Sequence, residues 1–230
     1  MIRFADRRGI ARLLLALGGV AILAAACDFH YRAAVDPALN EVVVQTIPDA
    51  NLRFDHPARL SAQELTIILQ EVRVKFKDHW LQRLIAGVLE PVPLFEDAVL
   101  ARVVPPLVEA LAKAGTHDRI VFYVAQRQAS DRRDVTSGTL FMKGSSLTIA
   151  LANHQNRVDV VPGLAAYDRQ NPEVAVAPQR FLLVFARPEF MVDRAPDLAD
   201  GVFGAAPPRL MVDYAGFLAY KSRTATGSGS

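Results

Sequence analysis

Catalytic chemistry needs side chains that converge, so the titratable and nucleophilic residues come first. Five histidines, His30, His56, His79, His117 and His154, could serve as general bases or metal ligands. No two stand at the spacing of HExxH or another ligand pair, and Cys27 is the single cysteine. A zinc set is therefore not indicated, and the sequence predicts neither a metal nor a cofactor. The nucleophile signatures GxSxG and SxxK and the phosphate-binding loop are absent. Asp197 and Asp200 are too isolated to argue for paired-carboxylate work.

Two polar clusters are candidate binding surfaces. Asn153-His154-Gln155-Asn156 follows a predicted strand, and ligand sites often sit on loops held by a rigid sheet. The alternative is a solvated loop with local turn hydrogen bonds. Trp80, the only tryptophan, stands among Lys77, His79 and Arg83. An aromatic ring beside cations suits a membrane interface or a protein contact, and the alternative is that Trp80 packs into the core. The candidate surface is thus Trp80, Arg83, Asn153 and His154. Ser137-Gly138 reads as a bulge or a place of close packing.

The chain opens with Arg3, Arg7, Arg8 and Arg12, followed by the uncharged 14-residue run Leu13 to Ala26 (LLLALGGVAILAAA). A spanning helix needs roughly 20 apolar residues, so a signal peptide fits better than an uncleaved anchor. Residues 1–26 hold four of the 26 basic and one of the 24 acidic residues, which leaves 22 basic and 23 acidic in the rest. The positive charge belongs to the leader, and nucleic-acid binding is not predicted. The small residues Ala24-Ala25-Ala26 before Cys27 resemble the lipobox of bacterial lipoproteins. In that family the cysteine receives a diacylglycerol and becomes the mature N-terminus. The usual leucine three residues before the cysteine is here displaced to Leu23. An ordinary cleaved signal with an incidental cysteine is the other reading. Each buried CH₂ of an acyl chain contributes roughly 0.8 kcal/mol, so two or three chains hold a protein stably. Arg7-Arg8 resembles a twin-arginine export signal, although paired arginines occur in any basic leader. Asp28 resembles the signal for retention in the inner membrane, with the outer membrane as the alternative.

The elements that must position these residues follow from periodicity. Residues 28–40 read as a polar tether and Glu41 to Ile47 as a strand. Ser61 and Glu64 form a capping box for a helix over 61–71, with Leu65, Ile68, Leu69 and Val72 on one face. Residues 72–77 alternate as a half-buried strand, and 79–89 is an ambiguous helical stretch ended by Pro91 and Pro93. A helix over 95–114 should stop at Gly115, and Pro105-Pro106 predicts a kink or two helices. Strands near 119–128, 135–142 and 146–152 make an antiparallel meander, the last two joined by a tight Gly144 hairpin. Residues 153–179 are mostly irregular and could hide a strand near 173–177. Residues 180–186 are apolar on both faces and are expected to be a central strand. Residues 210–220 end the fold as a strand or short helix, and 223–230 resemble a linker tail.

The predicted class is α+β: a mostly antiparallel sheet (meander 119–152 plus strand 180–186) with helices 61–71 and 95–114 on one face. The organisation is a signal peptide at 1–26, a tether and short strand at 27–53, one domain at 54–222 and a tail. The function this predicts is a non-enzymatic, lipid-anchored cell-envelope protein facing the periplasm. Its partners would be the membrane, through the lipid on Cys27, and other envelope proteins, as a binding, assembly or transport accessory. The domain also resembles uncharacterised domains of envelope lipoproteins. The alternative is an envelope hydrolase or lipid- or sugar-modifying enzyme, with His154 or His79 paired to an acid or hydroxyl in a cleft. A soluble periplasmic ligand-binding protein fits if Cys27 carries no lipid.

Overall fold

The structure, a computed structural model, describes residues 30–32, 40–77, 90–129, 132–159, 167–193 and 207–227. The α+β class holds, with two antiparallel sheets. In chain order the elements are β1 (His30–Arg32), β2 (Asn40–Pro48), α1 (Ala62–Gln70), β3 (Val72–Phe76), β4 (Val92–Pro93) and α2 (Asp97–Lys113). The meander β5 (Asp118–Ala129), β6 (Arg132–Lys143) and β7 (Ser146–Asp159) follows. After it come α3 (Tyr167–Gln170), β8 (Phe181–Phe185), β9 (Met191–Asp193), β10 (Arg209–Asp213) and α4 (Tyr214–Gly227). The main sheet has the order β1-β2-β5-β6-β7-β10-β9, and a small one has β4-β3-β8.

Local signals account for the helices. Ser61 Oγ accepts from the Glu64 amide at 3.1 Å, and Glu64 Oε2 accepts from the Ser61 amide at 2.8 Å, a complete capping box at α1. The two hydrogen bonds from Ser61, amide first and hydroxyl second, hold the Glu64 carboxyl below its usual range. Of the two expected outcomes at Pro105 and Pro106, two separate helices do not form, because α2 is one helix running through both prolines. It buries Val99, Leu100, Val103, Val104, Leu107 and Leu111, each contributing roughly 1.5–3 kcal/mol. Each interior proline costs roughly 3 kcal/mol, and the carbonyls that Pro105 and Pro106 leave without a helical donor belong to Ala101, which is exposed, and Arg102, which is half-buried. The burial outweighs the loss. Nor does Gly115 stop α2 by a left-handed cap: Ala114 turns extended (φ −59°, ψ 140°), and Asp118 Oδ2 takes the Gly115 amide at 2.8 Å.

One apolar core lies on a single face of the main sheet. Val42, Val44, Ile120, Phe122, Val124, Leu140, Ile149 and Val212 pack there against α1, α2, Phe217 of α4, and Val74, Leu183 and Phe185 of the small sheet. The strand at 180–186 forms, as Phe181–Phe185, but at the edge of the small sheet beside β3 rather than in the meander sheet. Its residues alternate between buried and half-buried, which removes the expectation of a central strand. The expected tether contains β1, which pairs with β2. The end of the chain is both strand and helix, with α4 running on to Gly227. Residues 173–177 form no strand.

Candidate functional site

The polar candidates meet at β7, where strand periodicity is broken twice. Register passes from Gly138↔Leu151 to Ser137↔Asn153 to Val135↔Asn156, so β7 holds one residue more than β6 in each interval. Each extra residue reverses the inside–outside alternation. Gln155, at φ 46°, is the residue in left-handed conformation within the second interval. Asn153 and Asn156 are thereby brought to the outer face, while His154 turns towards the core. Gly138 sits at the tightest point: a Cβ there would lie 2.1 Å from the Ala150 carbonyl oxygen. Close packing is why this position is glycine.

Asn153 is fully buried and satisfied on all four valences. Its Nδ2 donates to Ser137 Oγ and to the Val174 carbonyl, each at 2.9 Å. Its Oδ1 accepts from the Val176 amide at 2.8 Å and from Asn156 Nδ2 at 3.1 Å. Asn156 Nδ2 also donates to the Ala177 carbonyl at 3.3 Å. Gln179 completes the clamp by bonding both backbone groups of His154, at 2.8 and 2.9 Å. These bonds fasten residues 174–179, an irregular segment, across the outer face of the sheet.

The beginning of the same strap is held by charge. Asp168 is buried, accepts the Tyr123 hydroxyl at 2.8 Å and pairs with Arg133 at 2.8 Å. Burial first, and then the Asp168 charge, push the Tyr123 phenol well above its ordinary range, so it remains a neutral donor. Arg169 pairs with Glu41, and Arg119 with Glu173 at 2.9 Å. The strap therefore seals the second face of the sheet, over a small cluster of Val43, Tyr123, Ala125 and Val135.

His154 is also fully buried. Its ring lies 5.9 Å from Phe76 and 6.3 Å from Phe181, centroid to centroid. Among the described residues neither ring nitrogen has a hydrogen-bond partner, and burial pulls its pKa down to about 4. Neither Asn153 nor His154 lies on a surface. Trp80, Arg83, His79 and Cys27 lie outside the described residues.

The other described histidine rings bond backbone. His56 Nδ1 donates to the Asp118 carbonyl at 2.9 Å, and its Nε2 accepts from the Met142 amide at 3.1 Å. Those partners fix a neutral ring, and burial lowers its pKa. His117 Nδ1 donates to the Leu52 carbonyl at 2.8 Å. An open groove lies between α1 and the start of α2, but Gln70 bonds Asp97 across it, and Glu71 on its wall is paired with Lys221 of α4. Among the described residues no three His, Cys, Asp or Glu side chains are placed to hold a metal ion, and no helix is long and apolar enough to cross a membrane.

No protein-family model matches this chain, and no significant match is found among curated proteins or solved structures. Sequence reasoning overlooked Tyr123, Arg133, Asp168 and Gln179. They are spread over some 56 positions, and nothing local marks them as partners.

Proposed function

We propose that this chain is a lipid-anchored cell-envelope protein that acts by binding, as an assembly or transport accessory. Cys27, the only cysteine, at the junction of a 14-residue apolar run and a polar chain, carries the attachment. The observation that supports binding over catalysis is how the polar side chains of the meander and of the strap are used. Asn153, Asn156, Gln179 and the Tyr123–Asp168–Arg133 set direct their hydrogen bonds inward to hold the strap. His154, named above as a possible catalytic base, is sealed between phenylalanines without an acid or hydroxyl partner among the described residues.

Detergent phase partitioning of the full chain tests the anchor. Wild type should enter the detergent phase and Cys27→Ala the aqueous phase. Equal aqueous partitioning of both, with the leader removed, would overturn the lipid-anchored reading. Cross-linking in intact envelopes then tests binding: a discrete adduct is expected, and its absence at every exposed position sampled counts against the accessory role.

A further inference from the structure

We propose that His154 is an acid-operated latch: a proton taken up by its ring releases residues 174–181 from β7 while the rest of the fold holds. The device is independent of what Cys27 carries.

One residue holds this segment at two points. Gln179 Nε2 donates to the His154 carbonyl at 2.8 Å, and Gln179 Oε1 accepts from the His154 amide at 2.9 Å. The His154 ring packs against Phe181, two residues beyond Gln179, and against Phe76, which stands opposite Phe181 in the small sheet. Phe76 and Phe181 themselves meet at 6.1 Å between centroids. The end of the strap and the start of β8 therefore both bear on His154. A neutral imidazole fits this place as a flat apolar ring. An imidazolium does not, because both of its nitrogens donate and neither has an acceptor among the described residues. To keep a proton the buried ring must reach water, and so part from Phe181.

The segment is also the part of the fold built to give way. Residues 174–178 are held to β7 through main-chain groups alone: the Val174 and Ala177 carbonyls and the Val176 amide, all on Asn153 and Asn156. The side chains of Val174, Ala175 and Val176 are exposed, so lifting them uncovers little apolar surface of their own. The flanks are fixed differently. Before the segment, Asp168 and Pro172 are buried and Glu173 pairs with Arg119 at 2.9 Å. After it, Phe185 is buried against Phe217 at 5.0 Å, and the Ala186 amide bonds the Glu71 carbonyl at 2.8 Å. Openings of this kind are local and cost less than unfolding the whole domain.

The charges around the ring do not favour a proton in place. Phe76 lies between Lys75 and Lys77, and Phe181 follows Arg180. Arg157 of β7 pairs with Asp134 of β6, and Glu173 of the strap with Arg119. Burial is what pulls the ring down to about 4, against about 6.5 in water. The closed form thus binds fewer protons than the open one, and opening is favoured as pH falls below 6.5. From those two values the open form should be about 50-fold more populated at pH 4.5 than at pH 7. Acid then bares the outer face of β6 and β7, where Asn153 and Asn156 lose their strap partners.

Amide-resolved hydrogen exchange of the full chain at pH 7 and 4.5 tests the latch. The amides of His154, Val176 and Lys77 have their acceptors across the opening, on Gln179, Asn153 and Arg180. Corrected for intrinsic rates, the three should share one protection factor, at least tenfold below that of the β5–β6 ladder, and it should fall about 50-fold in acid. In His154→Phe, checked by its melting curve, it should stay within a few-fold. Protection equal to that of the ladder would mean that these amides open only in global unfolding, and would overturn the proposal. The same acid fall in His154→Phe would overturn it as well. A reading that needs no variant is the proton NMR titration of the wild-type His154 ring. A midpoint below pH 5 is expected, and one above pH 6 would show the ring protonated in place and no latch.

Discussion

Asn156 Nδ2 donates to Asn153 Oδ1 at 3.1 Å, although the two residues stand three apart on one strand. In a regular strand they would face opposite sides of the sheet. The extra residue at Gln155 brings them to the same face, and there they jointly hold Val174, Val176 and Ala177. Removing the hub should cost more than removing a single contact. Asn153→Leu strands the Ser137 hydroxyl, the Val174 carbonyl and the Val176 amide inside the protein, at about 1–3 kcal/mol for a buried group left unpaired. A loss of about 3 kcal/mol in denaturant unfolding is expected, with faster exchange of the Val176 amide. Exchange unchanged at Val176 would show that the strap is held by other contacts.

Acid should weaken the fold through two buried histidines. His154 has a folded pKa lowered to about 4 against about 6.5 when unfolded, and His56 is lowered too. The folded state thus binds fewer protons, so its stability is full above about pH 6.5 and falls as pH drops towards 4. For His154 the loss amounts to about 3 kcal/mol across that window. His154→Phe, of similar shape between Phe76 and Phe181, should remove most of this slope and leave stability at pH 7 equal or higher. Urea midpoints at pH 4.5, 5.5 and 7 read it directly. An unchanged slope in His154→Phe would place the acid sensitivity elsewhere.

The Tyr123–Asp168–Arg133 set should be strongly coupled. Tyr123→Phe removes one donor from a buried carboxylate, at about 1–3 kcal/mol. Asp168→Ala leaves Arg133, whose side chain is 18% exposed, without its counter-charge and should cost about 3 kcal/mol or more. Because both variants act on the same carboxylate, the double variant should cost much less than the two singles added. Additive losses would mean that the two bonds to Asp168 act independently.

Two glycines of β6 and its hairpin should respond differently to a methyl group. At Gly138 a Cβ would meet the backbone of Ala150 and Leu151, so Gly138→Ala must push two paired strands apart. A cost of about 3 kcal/mol, or failure to fold, is expected. At Gly144 the φ of 60° is strained for an L-residue but nothing lies within 4 Å, so Gly144→Ala should cost about 1 kcal/mol. Melting temperatures of the two variants rank the effects, and equal shifts would contradict the packing argument.

Much of the fold was readable because its signals are short in range. The capping box at Ser61 and Glu64, the alternation of β3 and the Gly144 hairpin each depend on neighbours within a few positions, and each formed where the residues indicate. Interior prolines are also a local signal, yet at Pro105 and Pro106 they do not divide the helix, since burial of one helix face in the core exceeded the local cost. The pairing of β8 with β3, the entry of β1 onto the edge of β2, and the bonds of Asp168 to Tyr123 and Arg133 join positions 35 or more apart, or 11 to 15 for the β1–β2 pair. No local propensity carries such pairings. The polar run at 153–156 is the sharpest case. Its composition announces a polar cluster, but two inserted residues in β7 decide which side chains face in and which face out. Whether an inserted residue is accommodated depends on the partner strand, here on Gly138 and Ser137 of β6, so the sequence of β7 alone could not say that Asn153 is a hub and His154 is sealed in.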